Sequence, residues 1–244
     1  MPDKDLLALT WRITRRRLFA SPLAIVAGLA FPLSVVWIGL NDSYETAAKF
    51  FFFLLPHVFL VAAQDAVRTD IESGALENVL FLGGRFRSFL SAKSFVLAAV
   101  AAGYAAGLFG LFAAWGAVAG AFKPDFVVRF ALAALAGFYY SALAGALSHF
   151  LRAGSNVLAL LLVQAAAVVG LIFSATSRTG FLDYVATGHF PGLGPKILFG
   201  ALVAVLPNVV VSGRLPVFAG EVLAGLGLAL FTQRRLARSL ELKR

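Results

Sequence analysis

DIESGALENVLFLGGRFRSFLSAK, residues 70–93, stands between two apolar blocks, KFFFFLLPHVFLVAA at 49–63 and SFVLAAVAAGYAAGLFGLFAAWGAVAGA at 94–121. The blocks are too long and too greasy for the helices of a soluble core. About 20 apolar residues cross the roughly 30 Å of bilayer hydrocarbon. The whole chain has 244 residues, is 60% hydrophobic and is only 14% charged. Its mean hydropathy is +0.88. A soluble domain carries about 25% charged residues. The chain therefore reads as an all-α integral membrane protein, and segment 70–93 as a water-compatible interruption between two of its spans.

Outward from that segment the spacing predicts six spans, at about 22–40, 47–64, 94–120, 128–150, 156–174 and 215–232. The Phe50–Phe53 run suits an aromatic belt at the membrane boundary. Residues 1–21 read as an amphipathic interfacial helix, with Leu6, Leu9, Ile13 and Arg17 at helical spacing beside Asp3, Asp5, Arg12, Arg15 and Arg16. The stretch 197–212 is short for a span and holds Pro207 and Asn208, so it reads as a re-entrant or surface-lying element on the outer side. Residues 22–232 then form one transmembrane domain, followed by a basic tail at 233–244.

Charge sets the orientation. With both termini inside, fifteen of the 21 Lys and Arg residues fall on inner segments and six on outer ones. That bias is the positive-inside pattern. It also accounts for the net charge of +9 without nucleic acid as a partner. A seventh span at 197–212 would carry the tail QRRLARSLELKR outside, against the same rule. Segment 70–93 is thus cytoplasmic.

Within it, Ile71, Ala75, Leu76, Val79 and Leu80 share one face of a helix spanning 70–84. Asp70, Glu72, Ser73, Glu77 and Asn78 fall on the other faces, and Gly83 and Gly84 end the helix. Arg85, Arg87 and Lys93 prepare re-entry at the anionic inner surface. Membrane-surface helices carry Lys and Arg on the polar face. An acidic face suits a partner protein better, or a solvated helix packed beneath the bundle.

The run Gly74-Ala75-Leu76-Glu77-Asn78-Val79-Leu80, with Arg85, Arg87 and Lys93 behind it, resembles the cytoplasmic coupling helix of ABC-2 type transporter permeases. That family's pattern is roughly E-x-x-x-G-[TS]-L-E-x-L-L. Here Ala75 replaces the usual hydroxyl residue, and Gly83 stands where a Pro is common. The layout is similar as well: an N-terminal amphipathic helix, six spans, a coupling helix between the second and third, and an outer re-entrant element before the last.

The resemblance implies a translocation pathway formed by two permease subunits, expected as a homodimer in the cell's inner (plasma) membrane. A separate ABC ATPase subunit, carrying ATP and Mg, would dock on Asp70, Glu72, Gly74, Leu76, Glu77, Leu80 and Arg85. Leu76 and Leu80 would be the apolar knobs, Glu72 and Glu77 the charged contacts, and Arg85 a partner for the ATPase or for lipid phosphate. The alternatives are a haem-handling permease of the cytochrome-c maturation type and a non-ABC secondary carrier or membrane scaffold. Apolar walls lean toward hydrophobic or amphipathic substrates.

Catalytic motifs are missing. No G-x-x-x-x-G-K-[ST] occurs, and GLGPK at 192–196 lacks its spacing. No G-x-S-x-G occurs either. With no Cys, a single Met, and His57, His149 and His189 on three separate segments, a metal site is not expected and the chain needs no cofactor of its own. Polar residues in the spans are scarce, which argues against an ion-coupled carrier. His57 and Gln64 on one face of the second span, Gln164 in the fifth and Glu221 in the sixth are the candidates for lining a pathway. Gly103, Gly107, Gly110, Gly116 and Gly120 make small-residue faces on the third span that suit close helix packing.

Overall fold

The computed structural model describes residues 4–74, 86–176, 191–195, 197, 223, 225–232, 234–236 and 238. Seven helices carry the described architecture: α1 (Lys4–Ala20), α2 (Pro22–Asn41), α3 (Tyr44–Ala62), α4 (Arg68–Glu72), α5 (Phe86–Val118), α6 (Asp125–Leu147) and α7 (Ser155–Thr176). No strand occurs among the described residues. Four of the helices, α2, α3, α5 from Ser88, and α6, are long and apolar enough to cross a membrane, and α7 carries a shorter apolar stretch, Ser155–Gly170.

Local chemistry sets the boundaries. Ser21 caps α2 by accepting from the Ala24 amide, with Pro22 at the first helical position, where a missing N–H costs nothing. Ser43 caps α3 by accepting from the Thr46 amide at 3.2 Å, and Glu45 sits in the first turn, where the helix dipole favours an acid. These caps start α3 at Tyr44, three residues before the expected span. At 33 residues α5 is about 50 Å long, more than the hydrocarbon needs. It begins at Phe86 and not at 94, so its first two turns lie below the apolar stretch.

The core lies where α3 meets α6, α2 and α5. Phe51 stacks on Phe112 at 4.8 Å, Tyr44 on Phe112 at 4.5 Å, and Phe109 on Phe130 at 4.3 Å. Gly137 on α6 lets the Phe59 ring lie directly against the backbone, since a Cβ there would overlap it. The Phe50–Phe53 run thus packs into the bundle on one side: Phe51 and Phe52 are buried, Phe50 is half-buried and Phe53 is exposed.

On α1, Thr10 and Thr14 are buried, Leu6 packs beside the Ala66–Val67–Phe89 cluster, and Leu9 is exposed. On the small-residue face of α5, a Cβ at Gly103, Gly107 or Gly110 would meet nothing among the described residues, while Gly116 abuts Tyr44.

Candidate polar sites at the membrane boundary and in the bundle

Asp70 is the last residue the sequence would place in a protein interior, yet its side chain is fully buried. It sits on α4, a single turn held at the end of α3 by Ala66 and Val67, which pack with Phe89, Leu90 and Leu97 of α5. One carboxylate oxygen accepts from Lys93 Nζ at 2.6 Å. The other accepts from the Arg17 guanidinium. Lys93 is only 2% exposed. A buried acid between two cations is paired on both sides, which is the condition for leaving charge inside at all. The triad joins α1, α4 and α5. Arg17 also stands 3.7 Å from Asp65.

This geometry corrects two assignments. Asp70 has no free carboxylate oxygen to offer a docking partner. Lys93 does not meet lipid headgroups, because Asp70 holds it inside. The helix expected over 70–84 falls mostly outside the described residues. Of that stretch only 70–74 lie among them: one helical turn runs from Arg68 to Glu72, and Gly74 follows with φ +68°, a left-handed conformation that favours glycine. Gly74 is thus a chain-reversal residue and not a mid-helix one. Glu72 stays at the surface, where it accepts from Arg68 Nε at 2.9 Å and lies 3.4 Å from Arg152 of the α6–α7 turn. The Arg68 hydrogen bond, with a lesser contribution from Arg152, lowers its carboxyl from the ordinary carboxylate value against the opposing effect of desolvation. Leu76, Glu77, Leu80 and Arg85 lie outside the described residues, as do Glu221, His189 and nearly all of 197–212.

The intramembrane candidates divide into two groups. His57 Nε2 meets Gln164 Oε1 at 3.0 Å, and Gln164 Nε2 donates to the Tyr140 hydroxyl at 2.6 Å. This chain crosses α3, α7 and α6. Since Gln164 Oε1 can only accept, His57 carries its proton on Nε2. Gln64 is elsewhere. It lies past the end of α3 and donates to the Ser21 hydroxyl at 2.9 Å. Seven-residue spacing put both residues on one face, but α3 ends at Ala62, and Gln64 turns away.

Sequence reasoning missed Asn156. Its buried amide donates to the Gln64 carbonyl at 3.1 Å and to the Ala144 carbonyl at 3.3 Å. It thereby ties the start of α7 to the ends of α3 and α6. A lone Asn at the head of an apolar run was the available signal. Asp65 and Tyr140 were also passed over.

Two cavities border these groups. One, of about 370 Å³, lies at the α1–α2 junction and is lined by Thr14, Arg17, Ser21, Gln64, Asp65 and Lys93 among others. The other is an open apolar groove of about 600 Å³ along α2, α3 and α5, with His57 and Tyr104 on its walls. No group of three or more potential metal ligands gathers among the described residues. No family model matches the chain, and no curated protein matches it.

Proposed function

We propose that the chain is the permease subunit of an ATP-driven exporter of the ABC-2 type. In this reading it has six spans with both termini in the cytoplasm of an inner-membrane protein. It pairs with a second copy and is driven by a separate ATPase docked on the segment after Asp70. Residues Glu72 and Glu77 make the charged contacts, Leu76 and Leu80 the apolar ones. The exported substrate is hydrophobic or amphipathic.

The observation that carries the reading is the Arg17–Asp70–Lys93 triad at the root of that segment. A loop that only connects two spans needs no buried charge. A loop that must pass a push into the bundle needs a stiff joint at its base. The triad supplies one, because it fixes the segment to α5, the helix that re-enters the membrane, and to α1, which lies along α5. The resemblance of Gly74–Leu80 to a coupling helix supports the same reading.

The test is co-purification. Gentle extraction of the tagged chain from its own membranes is expected to bring a Walker-A-bearing subunit with it, and Glu77→Lys is expected to release that subunit while the permease stays folded. Absence of any ATPase from an otherwise intact assembly would transfer the lead to an ion-driven carrier. Unchanged retention in the Glu77→Lys variant would remove Glu77 from the docking face.

A further inference from the structure

The two cavities share part of their walls. Leu18 and Ala62 line both the polar cavity and the apolar groove. A polar chamber with an adjoining apolar groove has the profile of one amphipathic molecule. Its dimensions narrow the choice. On α2 the groove runs from Ala24 to Ser34, about 15 Å at 1.5 Å per residue. That is half of the roughly 30 Å hydrocarbon thickness, the reach of a chain in one leaflet.

The polar chamber presents both signs of charge. Arg17 supplies the cation and Asp65 the acid, while the Lys93 ammonium on the same wall is engaged by Asp70. Two polar atoms there are buried with no hydrogen-bond partner among the described residues, Thr14 Oγ1 and Asp65 Oδ1. Thr14 itself is 3% exposed. Leaving such atoms bare is costly, so each calls for a partner. Asp65 Oδ1 needs a donor. Arg17 directs Nη1 at the two acids, and its remaining guanidinium N–H groups suit a phosphate oxygen. A phosphate beside a primary ammonium answers both demands. A simple anion would meet Asp65 unfavourably, and a quaternary ammonium cannot donate a hydrogen bond.

We propose that these cavities together bind one membrane glycerophospholipid with a phosphoethanolamine headgroup. Its ammonium donates to Asp65, its phosphate accepts from Arg17 and Thr14, and one acyl chain lies in the groove beside His57. The site does not depend on the ATPase reading, and it stands or falls separately.

The test uses the full chain purified in detergent, with dioleoyl phosphatidylethanolamine, phosphatidylcholine and phosphatidylglycerol as probes, and reads affinity by native mass spectrometry. The expected result is a preference of about tenfold for phosphatidylethanolamine over each of the others, the size of one charge-assisted hydrogen bond. Asp65→Asn is expected to remove that preference, and Ala27→Phe, which fills the groove, to weaken all three lipids alike. Equal binding of the three lipids overturns the proposal, as does tighter binding of phosphatidylglycerol. So does water-soluble glycerophosphoethanolamine competing on equal terms, since the groove would then contribute nothing. Should Asp65→Asn fail to fold, Thr14→Val decides, because it keeps shape and loses the hydroxyl: unchanged phosphatidylethanolamine affinity in that variant also overturns the assignment.

Discussion

Helices α2 and α3 are close in length, 20 and 19 residues, and α2 is the more apolar, with mean hydropathy 2.3 against 1.5. Yet only 11% of the apolar stretch of α2 is buried in the chain, against 56% of that of α3. In water the greasier helix would be the inner one. In a bilayer the outside is as apolar as the inside, and hydrophobicity no longer sorts helices. What distinguishes α3 is packing and hydrogen bonding across the bundle. Its aromatic residues interlock with α5 and α6, its His57 joins α7, and its end is gripped through the Gln64 carbonyl by Asn156. On α2, Ser34 and Asn41 bond to carbonyls of their own helix, those of Phe31 and Trp37, and a single backbone carbonyl among the described residues, that of Gly28, accepts from the Tyr104 hydroxyl of α5.

The sharpest way to break this contrast is at Phe59. Its ring is fully buried, lies edge-on to Phe138 at 5.1 Å and rests on Gly137. Phe59→Ala is expected to cost about 2–4 kcal/mol, read by thermal or denaturant unfolding in mixed micelles. The value sits below that of soluble cores because lipid is as apolar as the ring, and mainly the packing is lost. A cost under about 1 kcal/mol would mean that the α3–α6 contact is not the seat of stability.

A smaller effect is expected from Asn156→Ala. It strips the Gln64 carbonyl of its donor at the end of α3, and an unsatisfied buried group costs about 1–3 kcal/mol. Asn156→Ser, which keeps a donor but shortens the reach, should fall between. If both variants match the parent, water or lipid serves that carbonyl instead, and α3 owes its position to packing alone.

These two residues also mark how far sequence reaches. The apolar blocks, their helical type and the approximate positions of α2, α3, α5, α6 and α7 follow from length and composition, because a bilayer demands long uninterrupted apolar helices. Which face of each helix points inward does not follow. Phe51 and Phe52 look the same in sequence as Phe53, yet two are core and one is exterior. The polar contacts were half legible. His57 and Gln164 could be named as intramembrane polar groups, but a separation of 107 residues carried no sign that they meet. Asp70 misled for a related reason. In a charged segment between apolar blocks an acid reads as solvated, and its burial depends on Arg17, 53 residues upstream, and on Lys93, 23 residues downstream.

The smallest expected effect belongs to α2, and it is the most informative about assembly. Val26, Leu29, Leu33, Trp37 and Leu40 form an outward stripe, with Leu33 67% and Leu40 74% exposed in the single chain. If lipid covers this stripe, Leu33→Ala exchanges one apolar contact with lipid for another. Stability should then change by no more than about 0.5 kcal/mol, the usual range for a surface position, and the oligomeric state should not change. A second copy of the chain packed on α2 gives a different result. The alanine then leaves a void between two protein surfaces, where lipid tails do not repack, and the dimer fraction falls on dilution with detergent while the fold of each chain is unaffected. Mass photometry or cross-linking at several detergent-to-protein ratios separates the two. The same measurement on a variant of the α5 small-residue face, Gly107→Leu, supplies the control. A Cβ at Gly107 likewise meets nothing among the described residues, so a loss of dimer there and none at Leu33 would move the contact from α2 to α5.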